Sequence, residues 1–434
     1  MALFDTRALN EGVRKREVFG WAMYDFANSG YTTVVLTAVF NAYFVGVVAG
    51  NANWATLAWT SALALSSAIV MLTMPSLGAF ADLRAAKKRL LALTTGGCVV
   101  ATMLLALAGR GDVWLAAAAI VLSNVFYSYG ESLIAAFLPE LARRESLGTV
   151  SGWGWSFGYF GGMLTLGLSL AYVLSAQAHG VPATQFVPVT MIITAGIYGL
   201  ASFATFALLR ERAVPQAAAA TNGLRASLER LLATWHQARH YRDFVWLLAC
   251  TVAYQAGIAV VIALAAVYAE QVLGFKQTQT MLLIFLVNIA SALGAFVFGY
   301  LQDRIGHWRA LAATLVGWIV MTLLAFAATD AMLFWAAAVV AGLCMGSSQS
   351  AGRALAGAFA PEHRLAEFFG LWTFAVRLAA IIGPMTYGLV TLVTAGNHRL
   401  AILSTGLFFV AGLLLLGKVD VRRGMAAASS PATA

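Results

Sequence analysis

Stretches of about twenty or more mostly apolar residues recur twelve times along this chain, and that recurrence dictates what it can become. A helix rising 1.5 Å per residue needs about 20 such residues to cross bilayer hydrocarbon. In the first half the runs fall at roughly 18–49, 54–80, 89–109, 113–138, 150–174 and 187–209. In the second half they fall at roughly 244–272, 279–301, 309–328, 331–357, 366–393 and 399–417. Connections are short except for a polar segment, 210–243, which separates six runs from six. Only 10% of the 434 residues are charged and 61% are hydrophobic, too few charges to clothe soluble domains of that size. The 12 Trp, 13 Tyr and 26 Phe exclude a disordered chain. The reading is an all-α polytopic membrane protein with twelve transmembrane helices in two six-helix bundles, 18–209 and 244–417. A segment 1–17 precedes them, 210–243 joins them, and a tail 418–434 follows.

Lys and Arg accumulate on the cytoplasmic side of membrane proteins. With residue 1 inside, 22 of the 27 fall in inner segments and three (Arg110, Lys276, Arg399) in outer loops. Both termini are therefore expected in the cytoplasm. The net charge of +9 then records topology, and no nucleic-acid partner is expected. Within 210–243, Leu224, Leu228, Leu231, Leu232 and Trp235 share one helical face, which predicts an amphipathic tether on the inner leaflet. No removable signal peptide is expected after the charged first 17 residues.

Several chemistries are excluded. Cys98, Cys250 and Cys344 lie singly in apolar runs, without metal-ligand spacing, so packing is their expected role. All six histidines fall in loops or at span ends and no H-E-x-x-H occurs, so neither a metal site nor a membrane hydrolase is expected. Gly412 to Lys418 fits G-x-x-x-x-G-K, but Val419 replaces the Mg²⁺-binding hydroxyl and the stretch ends an apolar run. No cofactor is expected, and the chain reads as a non-enzyme.

The halves repeat a motif. After span 2 the chain reads Gly78-Ala-Phe-Ala-Asp82-Leu83-Arg84-Ala85-Ala-Lys87, and after span 8 Gly299-Tyr-Leu-Gln-Asp303-Arg304-Ile-Gly306. Glycine permits close helix approach, and an aspartate there can pair with an opposing helix N-terminus or arginine. The pattern resembles the loop signature of the major facilitator superfamily, with Leu83 and Ala85 departing from it in the first copy. Gly20-Trp21 to Ser29, Phe137-Leu-Pro139-Glu140, Gly346 to Arg353, Glu367 to Trp372 and Gly383-Pro384 further resemble the autophagy-linked vacuolar amino-acid effluxers and their bacterial relatives. The resemblance implies the major facilitator fold, a bacterial plasma membrane, and an amino acid or similar zwitterion as solute. Spans 1, 4, 7 and 10 would line its path.

Charges inside spans are costly and mark function. Asp25 in span 1 and Glu131 in span 4 lie roughly 10 Å from the cytoplasmic ends, and Arg377 in span 11 roughly 16 Å. Arg353 in span 10 is shallower, close enough to snorkel toward the headgroups. Polar neighbours accompany them at helical spacing: Asn28 near Asp25, Tyr127 near Glu131, Tyr254 and Gln255 in span 7, and Gln349 in span 10. The acids are expected either to form a gate with Arg377 or Arg353, or to meet solute or carry protons, and Arg377 is expected either to hold a solute carboxylate or to take part in the gate. The motif residues Gly78, Asp82, Lys87, Gly299, Asp303, Arg304 and Gly306, with Arg353, are expected to be gate or structural elements.

The resulting expectation is a monomeric secondary transporter. It would rock spans 1–6 against spans 7–12 around a small polar solute, with proton coupling as its energy source. A drug, sugar or organic-acid exporter of the same superfamily, or a sensor without turnover, would show the same sequence features.

Overall fold

The computed structural model describes residues 4–50, 52, 54–215, 240–275 and 277–429. Among them, twelve helices are long and apolar enough to cross a membrane. Spans 1–6 are Lys15–Val48, Leu57–Arg84, Lys87–Leu105, Val113–Leu141, Arg144–Ala178 and Ala183–Leu208. Spans 7–12 are Arg242–Ala263, Leu282–Ile305, His307–Ala327, Ala331–Phe359, Glu362–Val393 and His398–Leu416. The face expected from Leu224 to Trp235 lies outside the described residues.

Lipid supplies no hydrogen bonds, so each span satisfies its backbone internally. Pro75, Pro188 and Pro384 are accommodated inside spans 2, 6 and 11. Leu72, Leu200, Phe203, Leu392 and Leu414 stand exposed, as suits a lipid-facing surface, while Trp21, Trp153 and Trp318 are fully buried. Trp318 of span 9 stacks flat on Phe409 of span 12, with ring centroids 5.0 Å apart.

Helix contacts repeat between the halves with an offset of six. In the first bundle span 1 packs on spans 5 and 6, span 2 on 4, span 3 on 4 and 6, and span 5 on 6. In the second, span 7 packs on 11 and 12, span 8 on 10, span 9 on 10 and 12, and span 11 on 12. The interface between bundles obeys the same symmetry: span 5 meets spans 8 and 10, and span 11 meets spans 2 and 4. Glycines allow the closest crossings. Gly158 and Gly162 of span 5 face Ser29 and Thr33 of span 1, where an added methyl would come within 2.8 and 2.9 Å of their hydroxyls.

The end of the molecule that carries both termini is heavily cross-tied. Asn10 donates from its backbone to Leu141 O at 3.0 Å and from its side chain to Pro139 O at 2.9 Å. Arg143 answers with backbone N to Ala8 O and Nε to Leu9 O. Each bundle is also clasped by an ion pair from the start of its first span to just beyond its last. Arg212 reaches buried Glu17 at 2.7 Å, and Arg423, in the C-terminal helix Val421–Ser429, reaches buried Asp243 at 2.6 Å.

Candidate functional site

The two motif aspartates cap helices across the bundle interface. Asp82 accepts hydrogen bonds from Ala366 N (3.1 Å) and Glu367 N (2.9 Å), at the start of span 11. Asp303 accepts from Gly148 N (2.9 Å) and Thr149 N (2.8 Å), at the start of span 5. A carboxylate there satisfies orphan N–H groups and the positive end of the helix dipole together. Gly78 lies against the Ala366 backbone, and Gly299 against Gly148 O and Gly152 Cα. Gly306 turns the second copy at φ +92°, a backbone only glycine adopts freely. Lys87 is buried, ion-paired with Glu140 at the end of span 4 and set 5.0 Å over the Phe137 ring. Arg304 is exposed.

Deeper in the interface, two acid–arginine pairs join the bundles. Arg353 Nη1 donates to Asp25 Oδ2 at 2.7 Å, and Arg377 Nη2 donates to Glu131 Oε2 at 2.7 Å. Their settings differ. The Asp25 and Arg353 side chains are 11% and 3% exposed, whereas Glu131 and Arg377 are 32% and 13% exposed.

Arg353 therefore does not snorkel, contrary to the expectation from its depth. It is buried because the first bundle satisfies it. Its Nε donates to Ser151 Oγ (3.1 Å), its Nη2 to Ser151 O (2.8 Å), and its guanidinium lies 4.7 Å from the Trp21 ring and 5.2 Å from Trp155. Ser151 and Trp155 were invisible as site residues in the sequence. The signal was Ser151-Gly-Trp-Gly-Trp155, in which small residues alternate with indoles at the start of span 5.

The second pair sits on an aromatic step. Arg377 lies 5.9 Å over the Tyr127 ring, and Tyr127 stacks on Tyr31 with centroids 5.1 Å apart. Buried Arg377 Nε has no hydrogen-bond partner among the described residues.

The remaining candidates disperse. Gln255 Nε2 donates to Gln349 Oε1 at 2.7 Å, linking spans 7 and 10. Asn28 turns into the first bundle, where Tyr198 OH donates to its Oδ1 at 2.7 Å and also meets Tyr24, which bonds Thr95. Asn28 thus does not join Asp25 at the interface; helical spacing placed the two near one another, but a tyrosine on span 6 claims the amide. Tyr254 likewise packs inside the second bundle, against Gly352 and Gly412, with its hydroxyl unpartnered among the described residues. Among the described residues no group of three or more His, Cys, Asp or Glu side chains could hold a metal ion.

A family profile described as "Vacuole effluxer Atg22 like" matches residues 44–429. The Bacillus subtilis (strain 168) protein described as the uncharacterized MFS-type transporter YxiO is 25% identical over 406 residues, covering 92% of this chain and 94% of that protein. The human organic anion transporter MFSD10 (TETRAN) shares the fold at TM-score 0.69 and 14% identity, over 93% of this chain and 99% of that one. The E. coli fucose:proton symporter FucP does so at TM-score 0.67 and 15% identity, over 93% and 97%. Such a fold embeds in the membrane, and the relatives that share it are described as transporters. The chain is a multi-pass membrane transporter of the major facilitator fold, and it belongs to the Atg22-like vacuole effluxer family.

Proposed function

We propose that this protein moves a small zwitterionic solute, most simply an amino acid, by rocking its two bundles alternately open to either side of the membrane. The observation that carries the reading is the Glu131–Arg377 pair. It bridges the bundles within the membrane, stays partly accessible, and leaves Arg377 Nε without an acceptor among the described residues. A desolvated arginine with a spare donor suits a carboxylate, which it can engage in two parallel bonds. A neighbouring acid suits an ammonium group or a coupling proton. Asp25 and Glu131 are the proposed proton carriers, and breaking their pairs with Arg353 and Arg377 would accompany opening. Asp82 and Asp303 act as latches, with Gly78, Lys87, Gly299, Arg304 and Gly306 shaping the turns that present them.

The distribution of Lys and Arg supports placing both termini in the cytoplasm. The bacterial relative supports a bacterial plasma membrane as the location, and a monomer is the proposed working unit.

Flux into proteoliposomes tests the proposal, using a solute chosen by thermal-shift screening against amino acids, sugars and organic acids. Arg377→Ala should abolish uptake of a zwitterion while expression holds, and normal flux would remove Arg377 from the site. Asp25→Asn combined with Glu131→Gln should remove pH-driven uptake; intact uptake would end the proton-coupling reading. Binding without turnover would make the protein a sensor.

A further inference from the structure

The Asp25–Arg353 contact is lopsided. Among the described residues, every group that hydrogen-bonds or stacks on the guanidinium belongs to the first bundle: the Asp25 carboxylate and Trp21 ring from span 1, and the Ser151 hydroxyl and carbonyl and Trp155 ring from span 5. Arg353 alone comes from the second bundle. Gly154 completes the recess, because a methyl there would fall 2.6 Å from Arg353 Nη2 and onto the Asp25 carboxylate. Two indoles, an anionic partner and two further acceptors form a receptor for a flat organic cation.

We infer that this recess is a cation-binding site in its own right, which Arg353 occupies as a tethered ligand while the bundles are closed at this end. Any rocking motion that parts spans 1 and 5 from span 10 withdraws the arginine. It leaves the Asp25 carboxylate without its guanidinium partner, in a recess whose Trp21 and Trp155 rings had flanked that guanidinium, and another cation entering there regains the lost pairing. The chemical class that fits is a guanidinium, or more weakly a primary ammonium. A planar guanidinium stacks on indole and meets carboxylate and carbonyl at once, whereas an ammonium is compact and strongly hydrated. Arg353 and the cationic group of a solute then compete for one place, so the solute's arrival and the release of the closed state become the same event. Only this last coupling rests on the proposed transport; the recess stands on its geometry.

Arg353→Ala empties the recess without touching its walls. The purified variant, in detergent, should show a thermal midpoint that rises with the logarithm of millimolar ethylguanidinium, less with ethylammonium, and not at all with neutral ethylurea. Wild-type protein, its recess filled, should respond far less. The double variant Asp25→Asn/Arg353→Ala should lose the response. If Arg353→Ala aggregates alone, recovery of a monodisperse species with ethylguanidinium, but not with ethylurea, reads the same binding. No response and no recovery, or an equal response in the double variant, would overturn the inference. The assay needs no turnover, so a recess that binds in a chain without flux would sink the transport reading alone. Flux with no binding to the emptied recess would sink this one alone.

Discussion

Asp82 and Asp303 lie 221 residues apart in sequence and perform one task in exchange: each carboxylate caps the first turn of a helix in the other's bundle. Asp82 of span 2 holds span 11, and Asp303 of span 8 holds span 5. The interface is thus latched twice at the end that carries both termini, by two copies of one device. Each latch is made of charge-assisted bonds that a small separation of the bundles would break together.

Substituting either aspartate by asparagine keeps its size but removes the charge and one acceptor. The expected cost is about 1–2 kcal/mol per site, from the dipole and hydrogen-bond terms combined. The latches share no partner, so their effects should add. Disulfide cross-linking between cysteines introduced on spans 2 and 11 should slow in Asp82→Asn. Unchanged cross-linking in that variant would show that the contact does not latch the closed form.

The two copies turn differently after their latches. Where the second has Gly306, the first has Ala85 at φ 47°, ψ 51°, a left-handed conformation that a side chain makes unfavourable. Ala85→Gly should therefore stabilise the protein by about 1 kcal/mol. Gly306→Ala should do the reverse and by more, because φ +92° with ψ 142° admits almost no L-residue. Thermal unfolding of both variants checks the pair of signs, and a lower midpoint for Ala85→Gly would refute the strain argument.

Glu211 offers a pH test outside the membrane spans. Its carboxylate accepts from Lys87 N (2.7 Å) and Lys88 N (3.1 Å), capping span 3. Burial nonetheless pushes its pKa above the usual carboxylate range, outweighing those bonds. A raised folded pKa means the native state holds the proton more tightly. This contribution to stability is fully present below the unfolded pKa and is lost as pH rises through the folded value. Glu211→Gln should remove that decline, so the stability of the wild type relative to the variant should fall across the window just above the normal carboxylate pKa. A difference that grows with pH would reverse the argument.

The fold was legible because bilayer physics leaves few options: twelve apolar runs, six on each side of one polar segment, and a motif repeated at half the chain length. The site was legible only in outline. Asp25, Glu131, Arg353 and Arg377 announced themselves as charges in apolar runs, yet which acid met which arginine depended on helix rotation and crossing. The burial of Arg353 is not legible in its own span, because depth along one helix says nothing about acceptors on another. Ser151 and Trp155 carry no charge to mark them, and only the alternation of small residues with indoles from Ser151 to Trp155 sets their stretch apart from other apolar runs. Asn28 and Tyr254 looked like lining residues because helical spacing shows that groups share a face, but not which neighbour that face meets.

The two interfacial ion pairs, identical in length, should differ in what their loss costs. Arg353→Met strands the Asp25 carboxylate in a place already removed from solvent, and breaking so buried a pair costs about 3–5 kcal/mol. Arg377→Met leaves Glu131 with access to water, so its cost should be nearer 1 kcal/mol. The distinguishing variant is Asp25→Leu/Arg353→Met. If the penalty is the stranded charge, removing that charge as well should restore most of the lost stability, making the double variant more stable than Arg353→Met alone. Thermal unfolding in one detergent ranks all three. A double variant that is less stable than Arg353→Met would mean that the packing of the guanidinium between Trp21 and Trp155, and not the charge, holds this part of the interface together.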